Sequence, residues 1–194
     1  GDSGIIYKED GNKILINNTI KGSKTEILHQ SNNEINNFLV GDKVMAEINW
    51  DIRYIYMKMH TCLHLLSAVL PYPVTGGKIG TEKSSLDFNI PEPKLDKDEI
   101  TQKINQLVEL DFPISQTWIS DIELEKKSEL IKTMSVKPPK GTGSVRLIKI
   151  GDKVDLQPCG GTHVKFTSEI GKIKITKIEN KGKKNRRIIL VIEN

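Results

Sequence analysis

Apolar positions along the chain change period near residue 51, and that change divides it. Between residues 5 and 50 the apolar stretches are short: Asp10-Gly11 separates two of them as a hairpin turn does, and Val44, Ala46, Ile48 and Trp50 alternate as in a half-buried strand. Residues 1–50 are therefore expected to form a small N-terminal β-barrel-like domain. From residue 51 the spacing becomes helical. Asp51 is placed as the N-cap of a helix to about residue 70, with Ile52, Tyr56, Met59, Leu63, Leu66 and Leu70 as its core stripe and Pro71 and Pro73 as its stop. Beyond it, Gly76-Gly77 and Gly80 predict a turn before a strand at 84–90, and Asp96 with Glu99 opens a second helix carrying Ile100, Ile104, Leu107 and Val108. A strand at 113–119, a helix from Ser120 to about 132, a loop at 137–143 and strands at 145–150, 170–178 and 186–192 complete the pattern. The last two strands pair as a hairpin. Helices mixed with mostly antiparallel strands make residues 51–194 an α/β domain and the chain α+β overall.

Charge adds one feature to this layout. The 194 residues carry 29 basic and 25 acidic side chains, a net +4, but residues 1–51 balance at −3 and residues 165–194 at +6. Lys181, Lys183, Lys184, Arg186 and Arg187 lead straight into the apolar run from Ile188, so they stand on a folded hairpin, where a basic cluster suits phosphate contact. No run of about 18 apolar residues is present, so no membrane span is expected. Two cysteines make no disulfide framework, which favours a reducing, cytoplasmic setting. The chain opens on Gly1 rather than Met, and native residues upstream of it are expected.

The chemistry concentrates in two short strings. His60 and His64 are four apart on the predicted helix and share a face; Cys159 and His163 are four apart about a hundred residues on, around Gly160-Gly161-Thr162. Three of the four His and one of the two Cys in the chain fall in these strings. A thiolate and three imidazoles form the borderline-soft tetrahedral set that zinc favours, so one zinc per chain is expected. The paired glycines are expected to let the turn fold back and aim both of its ligands at one point. Cys62 is offset by two from both helical histidines and faces the core instead. A zinc protease needs a glutamate directly after the first histidine, where this chain has Thr61. Nucleobase deaminases need a catalytic Glu and a Cys-x-x-Cys pair, which are lacking.

His60-Thr61-Cys62-Leu63-His64-Leu65-Leu66 and Cys159-Gly160-Gly161-Thr162-His163-Val164 together resemble the editing domain of alanyl-tRNA synthetase, and still more its free-standing AlaX relatives. The resemblance extends through Leu86-Asp87-Phe88, Val145-Arg146-Leu147, Glu169-Ile170-Gly171 and Arg186-Arg187-Ile188. It implies a hydrolase that cleaves the ester of tRNA(Ala) mischarged with serine or glycine, in trans, with a zinc-associated water in place of a catalytic side chain. Editing has a physical cause: a pocket sized for alanine cannot exclude glycine and rejects one added hydroxyl poorly.

Around the substrate we place Thr75, Gly76, Asp87, Gly161 and Thr162, with Thr75 sensing the serine hydroxyl. Gly76 departs from the synthetase pattern, which has glutamine there. Lys137, Lys140, Arg146, Lys183, Lys184, Arg186 and Arg187 are the expected RNA contacts. The competing readings are an editing fragment of a full synthetase, a non-catalytic RNA-binding module with structural zinc, and a serine-specific hydrolase for tRNA(Thr).

Overall fold

The computed structural model describes residues 1–23, 25–35, 37–91, 94–127, 130–132 and 143–193. The chain is α+β, every strand pairing is antiparallel, and it divides into two compact units, Gly1–Ile55 and Tyr56–Asn194.

In the first unit, β1 (Gly4–Lys8) and β2 (Lys13–Ile16) form the hairpin expected around Asp10-Gly11. Gly11 takes a φ of 87°, a left-handed value that a side chain would strain, and Asp10 Oδ1 accepts from Asn12 N at 2.9 Å. β5 (Val44–Ile48) pairs with the other side of β1, giving the order β2-β1-β5, while β3 (Asn18–Lys21) and β4 (Ile27–Gln30) make a separate hairpin. The described strands close no barrel: they form two open sheets. The expected half-burial of the 44–50 stretch is also not met, since every residue of β5 is exposed. Alternation dictates which side chains share a face, but not whether anything covers that face.

α1 (Trp50–Val69) begins one residue before the expected cap. Asn49, not Asp51, performs the capping: its Oδ1 accepts from Ile52 N at 3.3 Å, leaving Asp51 as a favourable acid in the first turn. From Met59 onward the helix is buried almost all round, including Thr61, Cys62, His64 and Ser67. No helix among the described residues is long and apolar enough to cross a membrane.

The second unit holds two sheets. One runs in the order β11-β12-β7-β6, built from β6 (Val74–Lys78), β7 (Ser84–Asn89), β11 (Ile173–Asn180) and β12 (Asn185–Ile192). Its core face carries Phe88, Ile173, Ile175, Ile188 and Leu190, all at most 1% exposed. α2 (Lys97–Glu109) packs on β11, where the Asn105 side chain bonds both the N–H and the C=O of Ile173 at 2.9 Å. Asp96 caps this helix as expected, accepting from Asp98 N and Glu99 N. The other sheet runs β10-β9-β8, from β8 (Ile114–Ser120), β9 (Ser144–Ile150) and β10 (Asp155–Pro158). α3 (Asp121–Lys126) starts from the expected Ser120–Glu123 capping box but ends six residues earlier than the 132 expected.

Gly76 and Gly77 do not turn the chain. They lie inside β6, paired with Asp87 and Leu86, just past a register shift between Val74 and Gly76. A Cβ on Gly77 would come within 2.8 Å of Leu86 Cδ2, so this glycine permits close strand approach rather than a reversal.

Candidate metal centre

α1 presents His60 and His64 one turn apart, and the segment leaving β10 brings Cys159 and His163 to meet them. The four ligand atoms all lie within 4.8 Å of one another. Cys159 Sγ stands 3.4 Å from both His60 Nε2 and His163 Nε2. Metal–ligand bonds of about 2.0–2.3 Å in a tetrahedron put neighbouring donor atoms about 3.3–3.7 Å apart, so these two edges already have the spacing an ion requires.

The remaining ring nitrogens explain why the Nε2 atoms converge. His60 Nδ1 lies 3.2 Å from Thr162 O, His163 Nδ1 lies 3.1 Å from Thr61 Oγ1, and His64 Nδ1 lies 2.9 Å from Asp155 Oδ2. Thr61 donates its own proton to Met57 O at 2.9 Å, so it accepts from His163. Each imidazole thus spends Nδ1 on an oxygen of the protein and keeps Nε2 for the centre, the arrangement that orients metal-binding histidines. Thr61, which occupies the position of a protease's glutamate, is the residue that holds His163.

The buried support around His64 is polar throughout. The Asp155 side chain is fully buried and is bonded by His64, by Lys132 and by Gln157, whose Nε2 donates to it at 2.7 Å and to Ser67 Oγ at 3.1 Å. Sequence reasoning missed Asp155, Gln157 and Lys132. A signal was present: Asp155, Gln157 and Cys159 recur every second residue, so a strand there turns all three to one face.

Electrostatics fit a cation. Burial opposes ionisation of Cys159, but hydrogen bonds from His163, His60 and His64 outweigh it and bring the thiol down to about 3. Burial likewise disfavours charge on His64, yet Asp155 and Cys159 raise it to about 9. His163, buried and beside the other two imidazoles, falls to about 4 despite Cys159. Two anions therefore draw one positive charge onto His64, while His163 stays neutral. Cys62, by contrast, is fully buried and its thiol is pushed up to about 12, an inert core residue.

The ligand turn is shaped by contact rather than by backbone freedom. Neither Gly160 nor Gly161 has a positive φ. An added Cβ on Gly161 would sit 2.3 Å from His60 Cε1, whereas nothing lies within 4 Å of one on Gly160. Arg146 clamps the same turn: Nε donates to Cys159 O at 2.9 Å and Nη2 donates to Gly161 O.

A family model described as the threonyl and alanyl tRNA synthetase second additional domain matches residues 145–189, a stretch that includes Cys159 and His163. Among curated proteins, the chain is 36% identical over 157 residues to the alanyl-tRNA editing protein AlaX-M of Methanosarcina acetivorans, covering 78% of this chain and 64% of that relative. With AlaX-M of Saccharolobus solfataricus it is 33% identical over 199 residues, which span 99% of this chain and 81% of the relative. The chain belongs to the AlaX family. AlaX-M of Methanosarcina barkeri is 35% identical over 86% of the chain and 71% of its own length.

Most of the other candidate residues of this AlaX-family chain lie among the described residues. Gly76 faces Asp87 across β6 and β7, and Asp87 is held by Arg187 in a two-bonded pair, Nε–Oδ1 2.7 Å and Nη2–Oδ2 2.8 Å. Arg186 is only 8% exposed and donates to Gly182 O and Asn185 O, with Nε lacking a hydrogen-bond partner among the described residues. Lys183 and Lys184 are exposed at the β11–β12 turn, while Lys137 and Lys140 lie outside the described residues. Thr75 donates its hydroxyl to Asn185 Oδ1 at 3.0 Å. Gly161 and Thr162 belong to the metal centre itself.

Proposed function

We propose that the chain hydrolyses the ester of serine or glycine wrongly attached to tRNA(Ala), acting in trans and with one zinc per chain held by His60, His64, Cys159 and His163. What carries the reading is the convergence of one thiolate and three Nε2 atoms within 4.8 Å in a chain of the AlaX family. Zinc suits a set of one sulfur and three nitrogens, and when bound it supplies concentrated positive charge against which the ester and its amine can be oriented. The protein's part is to hold that charge still. Thr61, Thr162 and Asp155 fix the three rings, and Arg146 fixes the Cys159 turn. An aminoacyl ester is already activated, so placement of the reacting groups suffices without a strong protein base.

Serine is read by its hydroxyl, and Thr75 is our candidate reader. Its proton is committed to Asn185, which leaves its oxygen free to accept from a substrate hydroxyl. Thr75→Val keeps the shape and removes that acceptor, so kcat/KM on Ser-tRNA(Ala) should fall about tenfold more than on Gly-tRNA(Ala). Equal losses on both substrates would remove Thr75 from this role. Phosphate contact falls to Lys183 and Lys184, because Arg186 and Arg187 spend their guanidinium groups on the protein. A substrate of translation, together with two cysteines that form no disulfide, favours a cytoplasmic setting.

The decisive assay is deacylation of Ser-, Gly- and Ala-tRNA(Ala) with and without a chelator. The first two should be cleaved and the third spared, with activity lost on chelation and restored by zinc. Failure to cleave either mischarged species would overturn the proposal.

A further inference from the structure

The sheet face that carries the metal centre continues past it. Gln157 and Asp155 of β10 pair with Ile148 and Ile150 of β9, and α1 covers them through His64 and Ser67. On the same face one strand further, Ile114, Gln116 and Trp118 of β8 pair with Ile150, Ile148 and Arg146. There the cover ends: Trp118 is 59% exposed. Cys159 N bonds Arg146 O at 3.1 Å, continuing the β10–β9 ladder, so Cys159, Arg146 and Trp118 form one row across three strands. With neighbouring strands about 4.8 Å apart, the Trp118 backbone lies about 10 Å from that of Cys159.

A single exposed indole is ordinary on a protein surface. Two further observations set this one apart. Its cross-strand neighbour Arg146 is pinned to the ligand turn through Cys159 O and Gly161 O and also approaches Gln116 Oε1 at 3.5 Å. Among the described residues these partners are all carbonyl or amide oxygens, so no carboxylate neutralises the guanidinium. An aromatic face beside an uncancelled positive charge is the pairing with which proteins hold an unpaired nucleotide: the base stacks and the sugar–phosphate meets the cation.

We propose that Trp118 is the stacking platform for the base of the 3′-terminal adenosine of the tRNA, with Arg146 beside it facing the sugar–phosphate. The inference rests on the reading of the metal centre as the site of ester hydrolysis. In an aminoacyl-tRNA only the ribose separates the ester from that base. A base on Trp118 therefore leaves its ester within reach of the cluster one row away. Stacking is sequence-tolerant, so the platform holds the end of the chain without reading the amino acid.

The test uses Trp50→Phe, which leaves Trp118 as the single tryptophan of the two in the chain. Uncharged tRNA(Ala) with an intact 3′ end should quench its fluorescence to saturation, and the same tRNA lacking the terminal adenosine should bind without quenching. In the otherwise unaltered chain, Trp118→Ala should raise KM for Ser-tRNA(Ala) roughly tenfold with kcat and zinc content unchanged, and Trp118→Tyr should recover most of the loss. Equal quenching by both tRNAs, or an unchanged KM in Trp118→Ala, overturns the platform. If the unaltered chain cleaves no mischarged tRNA, the hydrolase reading falls, while the quenching comparison still decides whether Trp118 holds the terminal base.

Discussion

Cys159→Ala and His64→Ala are each expected to weaken zinc binding by more than about 100-fold and to abolish deacylation with it. Cys159 supplies the one anionic donor of the four, and hydrogen bonds from the surrounding imidazoles bring its thiol down to about 3. Without it, three imidazoles face the ion and no anionic donor remains. His64→Ala removes a donor and also takes one partner from Asp155, whose side chain is 0% exposed. Lys132 and Gln157 still bond that carboxylate, so the added cost to folding is limited to about 1–3 kcal/mol. Zinc per chain after dialysis against a chelator of known affinity measures the first effect, and circular dichroism checks that the fold is retained. A folded variant that keeps a full equivalent of zinc would exclude its altered residue from the ligand set.

The next largest effect should come from a methyl group. Gly161→Ala is expected to reduce zinc affinity by about 10–100-fold, while Gly160→Ala stays close to wild type. The added Cβ at 161 would stand 2.3 Å from His60 Cε1 and 2.6 Å from Nδ1, well inside contact distance. The imidazole can swing away, but it then leaves both Thr162 O and its 3.4 Å approach to Cys159 Sγ. Relief of the clash and loss of the ligand are the same movement. At Gly160 the methyl group meets open space and the φ is one that alanine adopts. Parallel zinc titrations of the two variants check this, and equal affinities would show that the turn accommodates a side chain at either position.

Two backbone rules made the candidate ligand pairs legible before any tertiary structure. Residues four apart on a helix share a face, which joins His60 to His64, and a short glycine-containing string joins Cys159 to His163. Caps were readable for the same reason: Asp96 and Ser120 act on amides two or three residues away. The hairpins around Asp10-Gly11 and residues 181–184 followed from local turn chemistry and alternation. All of these interactions close within a few residues, so the order of the amino acids decides them.

What escaped the sequence depends on partners far along the chain. Asp155 and Gln157 show a strand's period, but only the fold sets that strand against α1, 91 residues distant at the His64–Asp155 contact. The charges of Arg146 and Arg187 are visible in the sequence, but their partners are not: carbonyl oxygens for the first and the Asp87 carboxylate for the second arrive through the fold. Gly76 and Gly77 read as a turn because glycine permits both reversal and close approach, and only the neighbouring strand selects between them. The apolar residues of β5 read as half-buried because alternation gives a face and never its cover. The sequence by itself thus determined most of the elements, the caps at Asp96 and Ser120, and the two pairs of candidate ligands. Tertiary structure decided which side chains orient those ligands, which charges are spent within the protein, and that Trp118 remains uncovered beside them, because each depends on packing between segments that no local rule relates.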